Sequence, residues 1–372
     1  MTDYLGELRR RTPTLLEHLE GLVSVESPSA DLVATGRGVD AVDQLFGAVL
    51  GHAGERLGTG GRVHLRWSGG GPTRVLLVGH VDTVWPLGTI ARWPFAVDGD
   101  VATGPGVFDM KAGLVQGLHA LSLIDDLTGV AFVVTTDEET GSTSSRELIE
   151  DSARGATAAL VLEPSAGGAL KSARKGVSMY ELVVHGRAAH AGLEPENGVN
   201  AGLELAHQLL ALAPLARPEL GTTVTPTVLS GGTTTNTVPA RAMVAVDVRV
   251  PTPEEQRRVD EAVRALPAHL DGATLEVLGG PNRPPMPASA SGALLARARS
   301  IAADLGLPAL TDVTVGGGSD GNFTAGVGVP TLDGLGAVGD GAHAEGEHVV
   351  VSAMAERAAL VAALVEDLLR SA

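Results

Sequence analysis

The apolar positions of this chain follow two different rhythms. In the first half, short unbroken apolar runs end in polar or acidic residues. Residues 74–79 (RVLLVG) precede His80, residues 131–136 (AFVVTT) precede three acids, and residues 158–162 (AALVL) precede Glu163. Runs without polar alternation suit strands buried on both faces. A helical run over 111–123 lies among them. Strand and helix in alternation predict an α/β domain, a mostly parallel sheet with helices on both faces. Ligands of such sheets collect outside the carboxyl ends of the strands. His80, the acids 137–139 and Glu163 each stand at such an end.

Near residue 176 the rhythm changes. Residues 177–185 (VSMYELVVH) and 242–250 (AMVAVDVRV) are longer and partly alternate, as in an antiparallel sheet with one wet face. Two amphipathic helical runs, 199–212 and 253–266, accompany them. The pattern predicts a small α+β insert over 176–280, left through a proline-rich linker at 281–287 (PNRPPMP). The tail returns to the first rhythm, with a helix over 294–305, a glycine turn at 316–318 and a terminal helix over 352–369. Residues 1–22 read as one helix. Residues 1–175 and 281–372 are therefore expected to form one discontinuous domain around the insert.

Composition narrows the chemistry. A chain of 372 residues suits two domains, and 44% hydrophobic residues suffice for a large core. Aromatics are 3%, so Ala, Val and Leu must fill it. The net charge of −17 argues against nucleic acid and anionic membrane partners, which require positive patches. No apolar stretch reaches the roughly 18 residues of a membrane span. The charged N-terminus lacks a signal core, and the chain has no cysteine; a reducing cytoplasm is the expected location. Without thiolates, a bound metal must rely on imidazole and carboxylate, which suits zinc, manganese or cobalt.

Five such side chains stand where a two-metal site requires them: His80, Asp109, Glu139, Glu163 and His343. Asp82, two residues from His80, can hold the second imidazole nitrogen; a buried strand-end histidine with a local hydrogen bond is the simpler alternative. Asp109 sits between glycines that let backbone approach closely, and it can equally cap the helix at 111. The acids 137–139 would repel one another without a cation, and one can take a proton while its neighbour binds metal. His343 lies in a glycine-rich loop, with His348 as a rival five residues on. His18, His52, His119 and His207 fall in helix-like stretches without companions.

As an ordered series, these motifs resemble the zinc-dependent peptidases and amidohydrolases of the aminoacylase and glutamate-carboxypeptidase family. The resemblance covers about 60–372. It rests on GHVDT (79–83), GVFDMKAG (106–113), TTDEETGS (135–142), LEP (162–164), GRAAHAG (186–192), GGTTTNTVP (231–239), DVR (247–249), GGGSD (316–320) and GAHAEGE (341–347). Ala112 and Asp340 depart from the family pattern without removing a ligand.

The resemblance implies two zinc ions per chain, replaceable by cobalt or manganese, about 3.5–4 Å apart. His80 and Glu163 would hold one ion, Glu139 and His343 the other. Asp109 and a water or hydroxide would bridge them. Asp82 would steady His80, and Glu138 would be the general base. A cis peptide would follow Asp109. The insert would be a lid and dimerisation domain, making the protein a homodimer. His190 would stabilise the oxyanion, usually from the partner subunit. Asn236 and Arg249 would bind a substrate carboxylate, with Gly318 and Ser319 adding contacts; a salt bridge to Asp247 is the other reading of Arg249. The implied activity is hydrolysis of an amide beside a free carboxylate, on a small molecule or short peptide, in the manner of a glutamate carboxypeptidase. An N-acyl-amino-acid deacylase or desuccinylase is the alternative. A binding protein or an amide-forming enzyme on the same fold are further ones.

Overall fold

The computed structural model describes residues 3–371, the Thr59 side chain excepted. They divide into two compact units. The first runs to Ala173 and resumes over Pro287–Val315 and from Ser319; the second is Arg174–Met286 with Gly316–Gly318.

The first unit is organised by a six-stranded sheet. Its order is Glu55–Thr59, Arg62–Ser68, Val130–Thr135, Val75–His80, Ala158–Val161, Thr331–Leu332. The last four are mutually parallel, and the first two form an antiparallel edge. Every residue of Val75–His80 and of Val130–Thr135 is buried, because successive side chains enter cores on opposite faces. Val75 and Leu77 join the larger core, with the helices Ala112–Leu121 and Val351–Arg370. Leu76 and Val78 join the smaller, with Ile149 and Phe323. Two covered faces explain why these strands carry unbroken apolar runs.

The N-terminal stretch is two helices, Tyr4–Arg10 and Thr12–Ser24, rather than the single one expected. Pro13 has no N–H for a bond back into the preceding turn, so the chain restarts there. The helix Leu32–Leu50 was not foreseen. Three glycines dilute its pattern, although Asp31 caps it by accepting from the N–H groups of Val33 and Ala34. The C-terminal region also departs in detail: the helix Ala288–Asp304 begins six residues before the expected one.

A small sheet of Ala96–Asp98, Val101–Thr103, Gly339–Asp340 and His348–Val350 completes this unit's functional end. Its last two strands form a hairpin whose connection, 341–347, carries His343.

The second unit is an antiparallel sheet in the order Thr223–Gly231, Arg241–Val250, Gly176–His185, Thr274–Arg283. Along Arg241–Val250 burial alternates strictly, with Val244, Val246 and Val248 inward. The helices Ala201–Leu212 and Pro253–Arg264 cover that face through Leu205, Leu212, Val259 and Val263. The proline-rich stretch is not a free linker at its start. Thr274–Arg283 runs through Pro281 with a register shift, which an edge strand tolerates because no ladder bond requires that N–H.

Candidate metal centre

His80 ends its strand fully buried, and its Nδ1 lies 2.9 Å from the Asp82 backbone carbonyl. A carbonyl only accepts, so Nδ1 carries the proton in the neutral ring and Nε2 presents its lone pair. That nitrogen faces Asp109 Oδ1 at 3.3 Å and Glu163 Oε1 at 3.4 Å. On the other side of Asp109, Oδ2 faces His343 Nε2 at 3.4 Å, and the same nitrogen is 3.1 Å from Glu139 Oε2. Each oxygen of one carboxylate thus meets a different histidine–glutamate pair. Glu138 joins the first group: one ligand atom each from His80, Glu138 and Glu163 lie within 4.8 Å of one another.

Three local devices hold this arrangement. Asp82, fully buried, accepts from Ser29 Oγ at 2.7 Å and from the N–H groups of Glu138 and Glu139 at 3.3 and 3.2 Å. Its carboxylate is 3.5 Å from His80 Nδ1, so the expected steadying of the ring comes chiefly from its backbone carbonyl. The carboxylate instead fixes the turn that presents Glu138 and Glu139. Glu347, also fully buried, clamps the Asp109 loop. Its Oε1 accepts from the N–H groups of Phe108 and Asp109, both at 2.9 Å. Its Oε2 accepts from Gly106 N–H at 3.0 Å and Trp85 Nε1 at 2.8 Å. Finally, His343 adopts φ 63°, a left-handed conformation uncommon outside glycine, which turns the ring off the hairpin.

Asp109 does not cap a helix. Its backbone is non-helical at φ −114°, ψ 95°, the following α-helix begins at Ala112, and a cis peptide joins Asp109 to Met110. Asp137, the first of the three acids, turns away from the centre and accepts from Ser144 N, Ser144 Oγ and Ser145 Oγ. His348 hydrogen-bonds the Gly346 carbonyl, outside the cluster. His18 and His119 pair with each other at 3.0 Å, and His207 stacks on His269. Sequence reasoning missed Ser29 and gave Glu347 no role. The serine has no local signal; the glutamate lies inside the motif that carries His343.

The residues present fit a metal. His80 Nε2 and Asp109 Oδ1 are buried without a hydrogen-bond partner. For metal–ligand distances of about 2.0–2.1 Å, tetrahedral donors stand about 3.3–3.4 Å apart, close to the separations found here. Electrostatics agree. Burial opposes charge on His80, yet Asp109, Asp82 and Glu163 raise its pKa well above the ordinary value. His343 is pushed up to about 10 by Asp109 and Glu139. Burial raises Glu139, while Asp109, despite its burial, is held well below the usual carboxylate range by the two imidazoles. The cluster calls for positive charge, which protons on the histidines supply when no cation does.

The remaining predicted residues belong to the second unit or its border. His190 is exposed, and its ring Nδ1 accepts from Gly192 N–H at 3.2 Å. Its segment pairs with that of Asn236: Ala191 N–H donates to the Asn236 carbonyl, and Val238 N–H to that of Ala189. Two motifs distant in sequence therefore sit side by side. Arg249 makes the salt bridge to Asp247, with Nη2 at 2.8 Å and Nε at 2.9 Å. The Gly318 carbonyl accepts from Arg174. Ser319 is buried, and its hydroxyl donates to Asp333 at 2.6 Å, so that group is engaged within the fold rather than turned to a ligand.

Comparison with known proteins places this geometry. The peptidase family M20/M25/M40 matches residues 76–367. Carboxypeptidase G2 of Pseudomonas sp. (strain RS-16) is 31% identical over 373 residues, spanning 96% of this chain and 89% of the relative. Acetylornithine deacetylase of Myxococcus xanthus is 30% identical over 220 residues, spanning 55% of this chain and 56% of the relative. Among solved structures, a tripeptidase from Staphylococcus aureus superposes with a TM-score of 0.74 at 22% identity, over 97% of this chain and 99% of that one. With a buried imidazole–carboxylate cluster at the strand ends and these matches, the chain is a metal-dependent peptidase or amidohydrolase and belongs to the M20/M25/M40 peptidase family.

Proposed function

We propose that the protein is a dinuclear zinc hydrolase that releases an amino acid with a free carboxylate from a short peptide or N-acyl conjugate, in the manner of a glutamate carboxypeptidase. One observation carries this reading: the two oxygens of Asp109 face two separate histidine–glutamate pairs, with Glu138 beside them. His80 and Glu163 would hold one zinc ion, His343 and Glu139 the other, with Asp109 shared. Cobalt or manganese would be accepted by the same donors. Bound metal supplies polarisation of the scissile carbonyl and acidification of water.

The chain's own residues do the rest. The Glu138 carboxylate takes a proton from the attacking water and delivers it to the leaving amine nitrogen. Asp82 keeps Glu138 and Glu139 in register through their N–H groups. On the second unit, His190 donates to the oxyanion, and Asn236 and Arg249 bind the substrate carboxylate, which suits a planar guanidinium already oriented by Asp247. Gly318 completes the carboxylate site through its backbone; Ser319 serves it by fixing the turn.

The second unit also serves as the lid and the surface of a homodimer. Supporting this, its edge strand exposes Val228 and Leu229, and its helix Ala201–Leu212 exposes Leu203 and Leu210. A deacylase reading is favoured by the similarity to acetylornithine deacetylase. No described helix is long and apolar enough to cross a membrane, and a cytoplasmic location fits a cysteine-free chain.

The test combines elemental analysis with Glu138→Gln. Two zinc per chain, hydrolysis of Glu-terminated dipeptides, and loss of turnover by about 10²–10⁴-fold with metal retained are expected. Faster hydrolysis of N-acetyl amino acids would select the deacylase. Near-normal turnover in the variant would remove Glu138 from its role.

A further inference from the structure

A hollow of about 730 Å³ opens beside Glu139, within the first unit. Its walls are the turn 28–31, the first turn of the helix Leu32–Leu50, and the loop 83–87 that follows Asp82. The walls are tied to the metal centre. Thr83 N–H donates to the Ser27 carbonyl at 2.9 Å, Ser29 N–H to that of Thr83 at 3.2 Å, and Ser29 Oγ to Asp82. The pocket is therefore built onto the same strand end that presents His80.

Its surface is apolar in an unusual way. Among the described residues, six large apolar side chains of the first unit are markedly exposed, and four of them line this hollow: Leu32, Val33, Val84 and Leu87; Val97 and Val101 lie elsewhere. Pro28 and Pro86 extend the apolar wall. Several of the polar groups there are already engaged. Ser29 binds Asp82, the Asp31 carboxylate accepts from Val33 and Ala34, and Thr140 Oγ1 donates to the Asp137 carbonyl. Exposed apolar side chains gathered around one concavity mark a binding surface.

Charge decides which part of a substrate enters. Among the described residues, no Lys, Arg or His lines the hollow, while Asp31 and Glu139 do. A substrate carboxylate would meet repulsion and no partner. We propose that this hollow is the acyl-side pocket, and that the enzyme selects substrates with an extended apolar group on the carbonyl side of the scissile amide. This rests on the hydrolase reading above, and specifies the acyl half of the substrate rather than the half that bears the free carboxylate.

The experiment uses neutral alkyl amides, from ethanamide to hexanamide, titrated calorimetrically into zinc-loaded protein. Affinity should rise about three- to fourfold per methylene, the increment expected when each leaves water. Leu87→Asp and Val33→Asp, both at exposed positions, should lower hexanamide affinity at least tenfold; metal content and circular dichroism check their fold. A flat response to chain length in the wild type, or an undiminished one in both variants, overturns the proposal. In parallel, N-acyl amino acids with one fixed leaving residue and acyl chains from acetyl to hexanoyl are assayed. Chain-length-dependent amide binding without any hydrolysis would reject the hydrolase reading and leave the pocket standing. Hydrolysis with no dependence on acyl length would reject the pocket alone.

Discussion

Replacing Glu347 by Gln is a sharp test of how the centre is held. Both carboxylate oxygens accept two N–H donors: Oε1 from Phe108 and Asp109, Oε2 from Gly106 and Trp85. A glutamine offers one oxygen and one NH2. Whichever way the amide turns, two donors face a donor. Each hydrogen bond to a charged group contributes roughly 1.5–3 kcal/mol, so about 3–6 kcal/mol is at stake. Burial holds the Glu347 pKa above its ordinary value, so removing the charge relieves part of its desolvation cost and offsets part of that loss. The net expectation is a destabilisation of about 2–4 kcal/mol at pH 7. It should be accompanied by weaker metal binding, since in either orientation the loop that carries Asp109 loses part of its clamp. Urea denaturation of the metal-free and zinc-loaded forms measures both, with the exposed Glu345→Gln in the same loop as control. A change under about 1 kcal/mol, or one equal to the control, would refute the clamp.

Four other expectations follow from the structure. Protons on His80 and His343 must leave when metal binds, so calorimetric enthalpies of zinc binding should vary linearly with buffer ionisation enthalpy; zero slope at pH 7 would contradict the raised pKa values. In the metal-free protein the folded state binds more protons than the unfolded one above the ordinary histidine range, so the stability these groups add is full below about pH 6.5 and fades as pH rises toward 10; stability that grows over that interval would contradict the sign. Ser29→Ala removes the hydroxyl from Asp82 and should lower activity or metal affinity about 10–100-fold, read as kcat/KM and zinc Kd; unchanged values would leave Asp82 held by the backbone alone. Gly113→Ala would place a methyl 2.1 Å from the Leu162 carbonyl oxygen, a backbone atom that cannot step aside; a loss of at least about 2 kcal/mol in chemical denaturation is expected, and a neutral result would show that the helix can shift.

Much of the first unit was legible because its chemistry is local. An apolar run ending in His80 or Glu163 states in one dimension that a buried strand stops beside a charged side chain, and sheets of this class gather such ends together. The partial alternation in 242–250 likewise announced one covered face, and burial along the strand proved to alternate strictly. Less was legible where a signal was diluted or depended on distant residues. The glycines at 36, 38 and 47 hid the helix Leu32–Leu50, and Pro13 divided a run whose leucine spacing suggested one helix. Of the three consecutive acids the resemblance singled out Glu138 and Glu139 without a physical reason; the structure supplies one, since the serines at 144 and 145 draw Asp137 inward and leave Glu138 and Glu139 at the centre.

By itself, then, the sequence determined which side chains end the buried strands, because burial is written in the run of apolar residues that precedes them. It also determined that any metal must be held by imidazole and carboxylate. Tertiary structure decided what those side chains do. His80 to Asp109 to His343 spans most of the chain, and only packing brings the three within 3.4 Å steps. The same holds for Glu347 under the Asp109 loop, for Ser29 against Asp82, and for the apolar hollow made by the turn at 28–33 and the loop at 83–87. Hydrogen-bond partners, electrostatic fields and cavities arise between segments, so no single stretch of sequence contains them.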